Sequence, residues 1–237
     1  MLLGVKSPGA VFLRYASVGL VAALFVYMVW KANATWSPDM RLWKAFGGGA
    51  FLLLWFTVFI GPMAQLWRPF SLFLSWRRES GVWFALIGLV HGYLVLDGWV
   101  RWGMWELLGY QYIAELDMYL RSEPGFGLAN LMGLLALFFA LILAATSFDR
   151  VVSFLGVSSW KWLHTFAYVI FYLIALHALY FAFIHFSASP ERVLRGIPTN
   201  YPDNPLRFVY LSAFVSVLFA QLTAFVVSVY RQRQFGK

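Results

Sequence analysis

The histidines are the residues of this sequence best suited to cofactor chemistry. His164, His177 and His185 lie within WKWLHTFAYVIFYLIALHALYFAFIHF, residues 160–186, and His91 lies in LIGLVHGYLVLDGW. Ionisable side chains are rare in such apolar surroundings and usually have a functional partner there. A neutral imidazole has a free ring nitrogen and is the commonest protein ligand for metals. These histidines are therefore the first candidates for a metal or cofactor site.

The composition indicates that the histidines lie in a membrane. Hydrophobic residues make up 62% of the 237 residues and charged residues 12%, and the mean hydropathy is +0.72. Soluble domains contain about 25% charged residues. The net charge of +8 is best explained by basic residues that flank membrane spans, so no nucleic-acid partner is expected. The absence of cysteine excludes iron–sulfur clusters and thiolate-ligated haem.

We predict an all-α membrane protein whose single domain, residues 1–237, is a six-helix transmembrane bundle. Each apolar run approaches the length of about 20 residues that crosses a bilayer as a helix. The predicted spans are about 11–30, 47–66, 81–100, 127–147, 160–186 and 208–230. Basic clusters at Arg77–Arg78 and Arg231–Arg233 predict that both termini are cytoplasmic, by the positive-inside rule.

Three shorter segments have distinctive compositions. Residues 101–126 mix aromatic and charged side chains and are expected to form a short helix on the membrane surface. Residues 187–207 contain four prolines and are expected to form an irregular loop. The run Gly47–Gly48–Gly49 lacks the context of a phosphate-binding loop. It is expected to let neighbouring helices approach closely.

Two of the histidines are predicted to lie at the same depth in the bundle. His91 follows Arg78 by thirteen residues and His177 follows Lys161 by sixteen, on spans that run in the same direction. Two imidazoles on facing helices of a bundle can serve as axial ligands to haem iron. The alternative for each histidine is a hydrogen-bonded interior residue without a cofactor.

The other two histidines are expected at different depths. His164 is only three residues beyond Lys161, near the predicted cytoplasmic face, and lies about 20 Å and about 140° from His177 on an ideal helix. A second haem there would need another ligand or a five-coordinate iron, because span 3 offers no second histidine. His185, eight residues beyond His177, is expected at the wet interface.

Arg77 and Arg78 are candidates for binding an anionic group at the cytoplasmic end. Arginine suits bidentate recognition of carboxylates and phosphates, so the pair could hold haem propionates or a flavin phosphate. The alternative is that these side chains serve only the positive-inside topology.

Two stretches resemble the ferric-reductase-like transmembrane domain superfamily. They are RRESGVWFALIGLVHGYLVLD, residues 77–97, and TSFDRVVSFLGVSSWKWLHTFAY, residues 146–168. The resemblance is closest to the branch of the bacterial MsrQ (YedZ) haem-binding subunit. It implies a six-helix bundle with one or two b-type haems. It also implies that His91 and His177 are the ligands of an outer haem and that His164 is a ligand of an inner one.

The sequence departs from this branch in a few places. Ser153 stands where the family often has an arginine, and Tyr180 replaces the usual tryptophan. The loop at residues 101–126 is also longer than expected for the MsrQ branch.

The resemblance implies transmembrane electron transfer in the bacterial inner membrane. Electrons would come from reduced flavin, such as FMN, supplied by a separate cytoplasmic flavin reductase. They would leave to a periplasmic acceptor or a larger membrane complex, which the outer loops 101–126 and 187–207 would dock. The chain would then be the electron-transfer subunit of an oxidoreductase. Two alternatives are a haem-free structural subunit of a membrane complex and a quinone-reactive cytochrome b.

Overall fold

Six helices of the computed structural model are long and apolar enough to cross a membrane, as the sequence predicts. The structure describes residues 8–114, 116–121, 124–186 and 201–235. The spans are Gly9–Ala32, Pro38–Leu66, Arg68–Trp99, Gly125–Ala145, Val157–Ile184 and Arg207–Gln234. The chain is therefore a multi-pass, predominantly helical membrane protein. Most of the expected loop at 187–207 lies outside the described residues.

The individual elements follow the predicted order. The helices are α1 (Pro8–Ala32), α2 (Pro38–Leu66), α3 (Arg77–Leu94), α4 (Met104–Leu107), α5 (Pro124–Ala145), α6 (Asp149–Leu155), α7 (Val157–His164), α8 (Phe166–Leu179) and α9 (Arg207–Phe235). A 3-10 segment, Arg68–Trp76, leads into α3. One π-helical turn, Val95–Trp99, extends α3, and a second, Tyr180–Ile184, extends α8.

Helix α2 begins nine residues before the predicted boundary, because its charged residues are accommodated by aromatic rings. The Arg41 guanidinium lies 3.3 Å from the ring centroid of Trp30, and its Nε donates a 2.7 Å hydrogen bond to the Trp30 carbonyl. Lys44 Nζ lies 4.0 Å from the ring centroid of Trp36. Cation–π contacts of this kind let long basic side chains remain beside an apolar core.

Helix α2 is the central helix of the bundle. It packs against α1, α3, α8 and α9. In the most apolar 18-residue stretch of α2, half of the residues are buried, whereas the corresponding share is 22% or less in each of the other spans. Phe51 and Leu53 of α2 are almost completely buried together with Phe171 of α8. The large exposed apolar surface of the other spans is suited to lipid.

The glycine run at the start of the predicted second span makes this close packing possible, as expected. A Cβ at Gly49 would lie 2.6 Å from Val26 of α1. A Cβ at Gly48 would meet the hydroxyl of Tyr210 on α9, and one at Gly47 would lie 2.8 Å from the His91 ring on α3. Each glycine therefore admits a different neighbouring helix.

The fifth span contains two α-helices, α7 and α8, which are separated at Thr165. Gly156 precedes the span and separates α6 from α7. Its φ is 77°, a left-handed conformation that favours glycine. Trp160 Nε1 on α7 donates a 2.9 Å hydrogen bond to the carbonyl of Thr146, which follows α5.

The loop at 101–126 is only partly the surface helix that we expected. It forms the four-residue helix α4 and a two-stranded antiparallel hairpin, β1 (Tyr110–Ile113) and β2 (Met118–Arg121). Tyr112 pairs with Tyr119 across the strands, and their ring centroids are 5.4 Å apart. Aromatic cross-strand pairs stabilise antiparallel sheet, which explains why these residues form strands and not a longer helix.

Candidate functional site

The structure brings His91 and His177 together in the interior of the bundle. Their ring centroids are 6.4 Å apart and their ring planes are inclined by 83°. His91 lies on α3 and His177 on α8, so the two depth-matched histidines of the sequence face each other. The structure does not bring His164 or His185 into this pair.

Each ring is oriented by one backbone carbonyl. His91 Nδ1 lies 3.0 Å from the Trp43 carbonyl oxygen of α2, and His177 Nδ1 lies 2.7 Å from the Ala129 carbonyl oxygen of α5. A carbonyl oxygen only accepts hydrogen bonds, so each Nδ1 carries a proton. In the neutral form of such a ring, Nε2 retains its lone pair. This is the arrangement that orients metal-binding histidines in proteins.

The two histidines are held by the same local design on two helix pairs. In both cases the carbonyl residue precedes its histidine by 48 positions. A glycine follows each carbonyl residue by four positions, Gly47 on α2 and Gly133 on α5. A Cβ at Gly47 would lie 2.8 Å from Cε1 of His91, and one at Gly133 would lie 3.1 Å from Cε1 of His177. A Cβ would therefore crowd either ring, more severely at Gly47 than at Gly133.

The separation of the rings matches the distance expected if both imidazoles held one metal ion. An imidazole nitrogen binds a transition metal at about 2.0–2.1 Å. The ring centroid lies about 1.1 Å further away, for ring bonds of about 1.33 Å. Two such ligands would have centroids about 6.3 Å apart, and the observed distance is 6.4 Å.

The number of ligands favours a metal that arrives with a macrocycle. A protein-only metal site needs about four ligands. Within the part of the chain that the structure describes, no group of three or more His, Cys, Asp or Glu residues could hold an ion. Haem iron needs only axial ligands from the protein. The donor set therefore fits haem.

The pair adjoins a predominantly apolar cavity of about 170 Å³. Its walls come from α2, α3, α5, α8 and α9, with Phe84, Leu137 and Ile174 among the apolar lining residues. Cavities of about 150 Å³ in apolar cores admit small organic molecules. The cavity therefore has room for an organic group of about the size of benzene beside the histidines.

One basic side chain lines this cavity. Lys44 is a lining residue, and its Nζ lies 4.0 Å from the ring centroid of Trp36 and 4.7 Å from that of Phe186. Among the described residues, the ion pairs are Arg14–Glu79, Arg78–Asp149 and Arg207–Asp203, so Lys44 has no carboxylate partner there. A cation without an anionic partner at the edge of an apolar pocket is suited to a carboxylate of a ligand.

His185 lies in a buried aromatic cluster, so its expected place at the wet interface is wrong. Its side chain is 5% exposed, and its ring centroid lies 5.6 Å from that of Trp99 and 4.5 Å from that of Phe186. The π-helical turns of α3 and α8 end beside these residues. Phe186 extends this cluster to Trp36 and Tyr201, whose rings contact it and each other.

His164 lies at the end of α7, away from the histidine pair. Its Nε2 is 3.3 Å from the Thr146 hydroxyl, and its ring centroid is 4.2 Å from that of Trp160. No second histidine contacts it within the described residues. Its role as the ligand of an inner haem remains a prediction.

Arg77 and Arg78 make contacts within the protein. Arg77 Nε donates a 3.0 Å hydrogen bond to the Thr57 carbonyl, and Arg78 Nη1 pairs with Asp149. Both are near enough to His164 to interact with it electrostatically. These contacts place the arginines beside His164 rather than beside the histidine pair, and anion binding by them remains a prediction.

Sequence reasoning missed the backbone carbonyls of Trp43 and Ala129, together with Gly133 and Lys44. The type of a side chain does not indicate whether its backbone carbonyl accepts a hydrogen bond from a histidine, and the side chains of Trp43 and Ala129 are unlike each other. The available signal was the equal spacing from each glycine to its histidine, Gly47 to His91 and Gly133 to His177.

The fold and site define a six-span membrane protein with a pair of histidines facing each other inside the bundle. The model of the family described as "Ferric reductase like transmembrane component" matches residues 46–175, more than half of the chain. The chain belongs to this family. The matched region contains His91 and ends two residues before His177. The comparison with solved structures gave no match.

Proposed function

We propose that the chain is a b-type haem protein that carries electrons across the membrane. The observation that carries this proposal is the geometry of His91 and His177, whose rings are 6.4 Å apart and whose Nδ1 atoms are both occupied by backbone carbonyls. When bound, haem supplies a one-electron Fe(III)/Fe(II) couple, which the protein tunes through ligation and surroundings. Ferric reductase-like domains in general bind haem, and this supports the proposal.

The residues around the pair have separate tasks in this proposal. Trp43 and Ala129 fix the tautomer and direction of the histidine rings through their carbonyls. Gly47 and Gly133 leave space for the rings. Lys44 would face a propionate carboxylate, and the apolar lining would exclude water.

The direction of electron flow follows from the predicted topology. Reduced flavin, supplied by a separate cytoplasmic reductase, would donate at the end where His164, Arg77 and Arg78 lie. The acceptor would be a periplasmic protein, a ferric chelate or a larger complex at the opposite end. The finer assignment is to the MsrQ-like branch in a bacterial inner membrane. It rests on the sequence motifs around His91 and His164.

The first test is the reduced-minus-oxidised visible spectrum of the purified chain, with quantification of b-type haem per protein. A bis-imidazole b-type spectrum is the expected result. A well-folded sample without haem, from haem-sufficient cells, would contradict the proposal and favour a structural subunit. Reduction by quinol but not by reduced flavin would favour the quinone-reactive alternative.

The inclination of the rings predicts a particular electron paramagnetic resonance spectrum. The two planes are 83° apart. If both imidazoles held haem iron at this inclination, each ring would interact with a different iron d orbital, and the two orbitals would lie close in energy. We therefore expect a highly anisotropic low-spin ferric signal with a large maximum g value. A rhombic signal typical of parallel ring planes would contradict the observed ring orientation.

A second prediction concerns the charge of Lys44. The substitution Lys44→Met removes a positive charge beside the cavity, and a nearby positive charge favours the reduced, more negative form of a redox group. The midpoint potential is therefore expected to fall in a potentiometric titration. Lys31→Met is the matched control, because Lys31 is an exposed residue at the end of α1. Equal potentials in Lys44→Met and Lys31→Met would contradict the proposed role.

A further inference from the structure

The β-hairpin has one face without charge and a second face that is aromatic and polar. In the antiparallel register, Gln111 pairs with Leu120 and Ile113 with Met118. Directly opposed residues share a face of the hairpin, so these four residues form one face, here called the aliphatic face. The other face carries Tyr110, Tyr112, Tyr119 and Arg121.

The aromatic face is covered in part by α4. The Trp105 ring stacks on Tyr119 with a centroid distance of 5.7 Å and contacts Tyr110 at 5.4 Å. Both faces keep exposed surface, with Met118 49% and Leu120 37% exposed on the aliphatic face and Tyr112 50% and Tyr119 42% exposed on the other. In the turn, the exposed Leu116 is followed by the exposed Asp117. The uncharged apolar surface of the hairpin therefore lies along its aliphatic face.

The hairpin is fixed at the end of the bundle where α3 ends and α5 begins. Leu107 of α4 is buried between Val100 and Phe126, and its carbonyl accepts a 2.9 Å hydrogen bond from Asn130 Nδ2 of α5. Both α3 and α5 belong to membrane spans. The hairpin is therefore tethered at the level where the chain leaves the membrane.

An apolar surface connects this region with the lipid-facing side of α3. Leu89 and Tyr93 on α3 are 45% and 54% exposed. The Trp102 ring, 61% exposed, lies 6.2 Å from the Tyr93 ring. Tryptophan and tyrosine at the ends of spans mark the boundary between lipid and water. Exposed apolar side chains thus extend from the lipid-facing side of α3 to Trp102, two residues before α4.

We propose that the aliphatic face of the hairpin lies in the lipid headgroup–acyl boundary beside the bundle. A two-stranded hairpin in water is at best marginally stable, whereas a segment with separate apolar and polar faces binds a membrane interface to a depth of about 5–10 Å. The absence of formal charge on the aliphatic face fits lipid better than a charged protein partner. This inference does not depend on haem and would leave acceptor docking to another part of that end of the bundle.

The test uses spin labels, because the chain contains no cysteine and each substitution therefore creates one labelling site. Met118→Cys and Leu120→Cys report on the aliphatic face, and Tyr119→Cys, between them in sequence, is the matched control on the other face. Leu89→Cys serves as the lipid reference. Asp203→Cys serves as the aqueous reference, since this side chain is 82% exposed. All variants are placed in nanodiscs of phosphatidylethanolamine and phosphatidylglycerol.

The readout is the accessibility of each label to oxygen, which concentrates in lipid, and to a water-soluble nickel chelate. We expect a higher oxygen-to-nickel ratio at positions 118 and 120 than at 119, with values shifted toward that of Leu89→Cys. Ratios like that of Asp203→Cys would overturn the proposal by showing water at the face. Low access to both reagents would also overturn it, because a second copy of the chain would then cover the face.

Discussion

Replacing either His91 or His177 with alanine is expected to abolish the same haem. The two rings face each other at 6.4 Å, so each would supply one side of a single site. Loss of either imidazole removes an axial ligand and leaves the partner without its counterpart. Pyridine haemochrome quantification and the visible spectrum of each purified variant measure the effect. Most of the bis-imidazole signal of this site should be lost in both variants.

The remaining histidines provide matched controls for this result. His185→Leu should retain the haem spectrum, because His185 lies in the aromatic cluster and not in the pair. His164→Ala should leave the His91–His177 site intact and remove only a haem bound near Thr146. If His91→Ala keeps the haem content and the spectrum of the unmodified chain, the pair is not the ligand set.

The spans and the meeting of His91 and His177 could be predicted from the sequence because both depend on simple geometry. A helix rises about 1.5 Å per residue, so counting from the basic ends of two parallel spans gives the depth of each histidine. The structure brings those two residues together and keeps His164 apart. The same counting predicted the span ends to within four residues, except that the second span begins nine residues and the third thirteen residues before the predicted start.

The orientation of the rings could not be predicted in this way. The groups that accept from His91 and His177 are backbone carbonyls of α2 and α5. A backbone group is present at every residue, so its use is visible only once the helices are packed. Gly47 was interpreted as a packing residue, but its partner, the His91 ring, depends on how α2 and α3 face each other.

The prediction for His185 failed because counting residues along a helix gives the depth of a side chain in the membrane but not whether other side chains bury it. His185 lies near the end of the fifth span, where an uncovered residue would meet water. In the structure its side chain is 5% exposed and contacts the rings of Trp99 and Phe186. The hairpin at 110–121 was missed because each of its strands has only four residues, which is too short for a clear alternating pattern in the sequence.

Adding one methyl group at Gly47 or Gly133 is expected to weaken haem binding. In Gly47→Ala the new Cβ would lie 2.8 Å from Cε1 of His91, a distance at which the ring must move. Movement of the ring strains the 3.0 Å hydrogen bond to the Trp43 carbonyl, and such a bond contributes about 0.5–1.5 kcal/mol. Because about 1.4 kcal/mol changes an affinity tenfold, we expect haem affinity to fall by up to about tenfold.

The two glycines should differ in the size of the effect. In Gly133→Ala the Cβ would lie 3.1 Å from the His177 ring, so a smaller shift relieves the contact and less haem should be lost. Gly81→Ala on α3 is the matched control, because a Cβ there meets nothing within 4 Å. Alanine also favours a helix over glycine by about 0.5–1 kcal/mol. Gly81→Ala should therefore keep its haem and have a melting temperature at least as high as that of the unmodified chain. Equal haem occupancy in all three variants would show that the glycines do not position the rings.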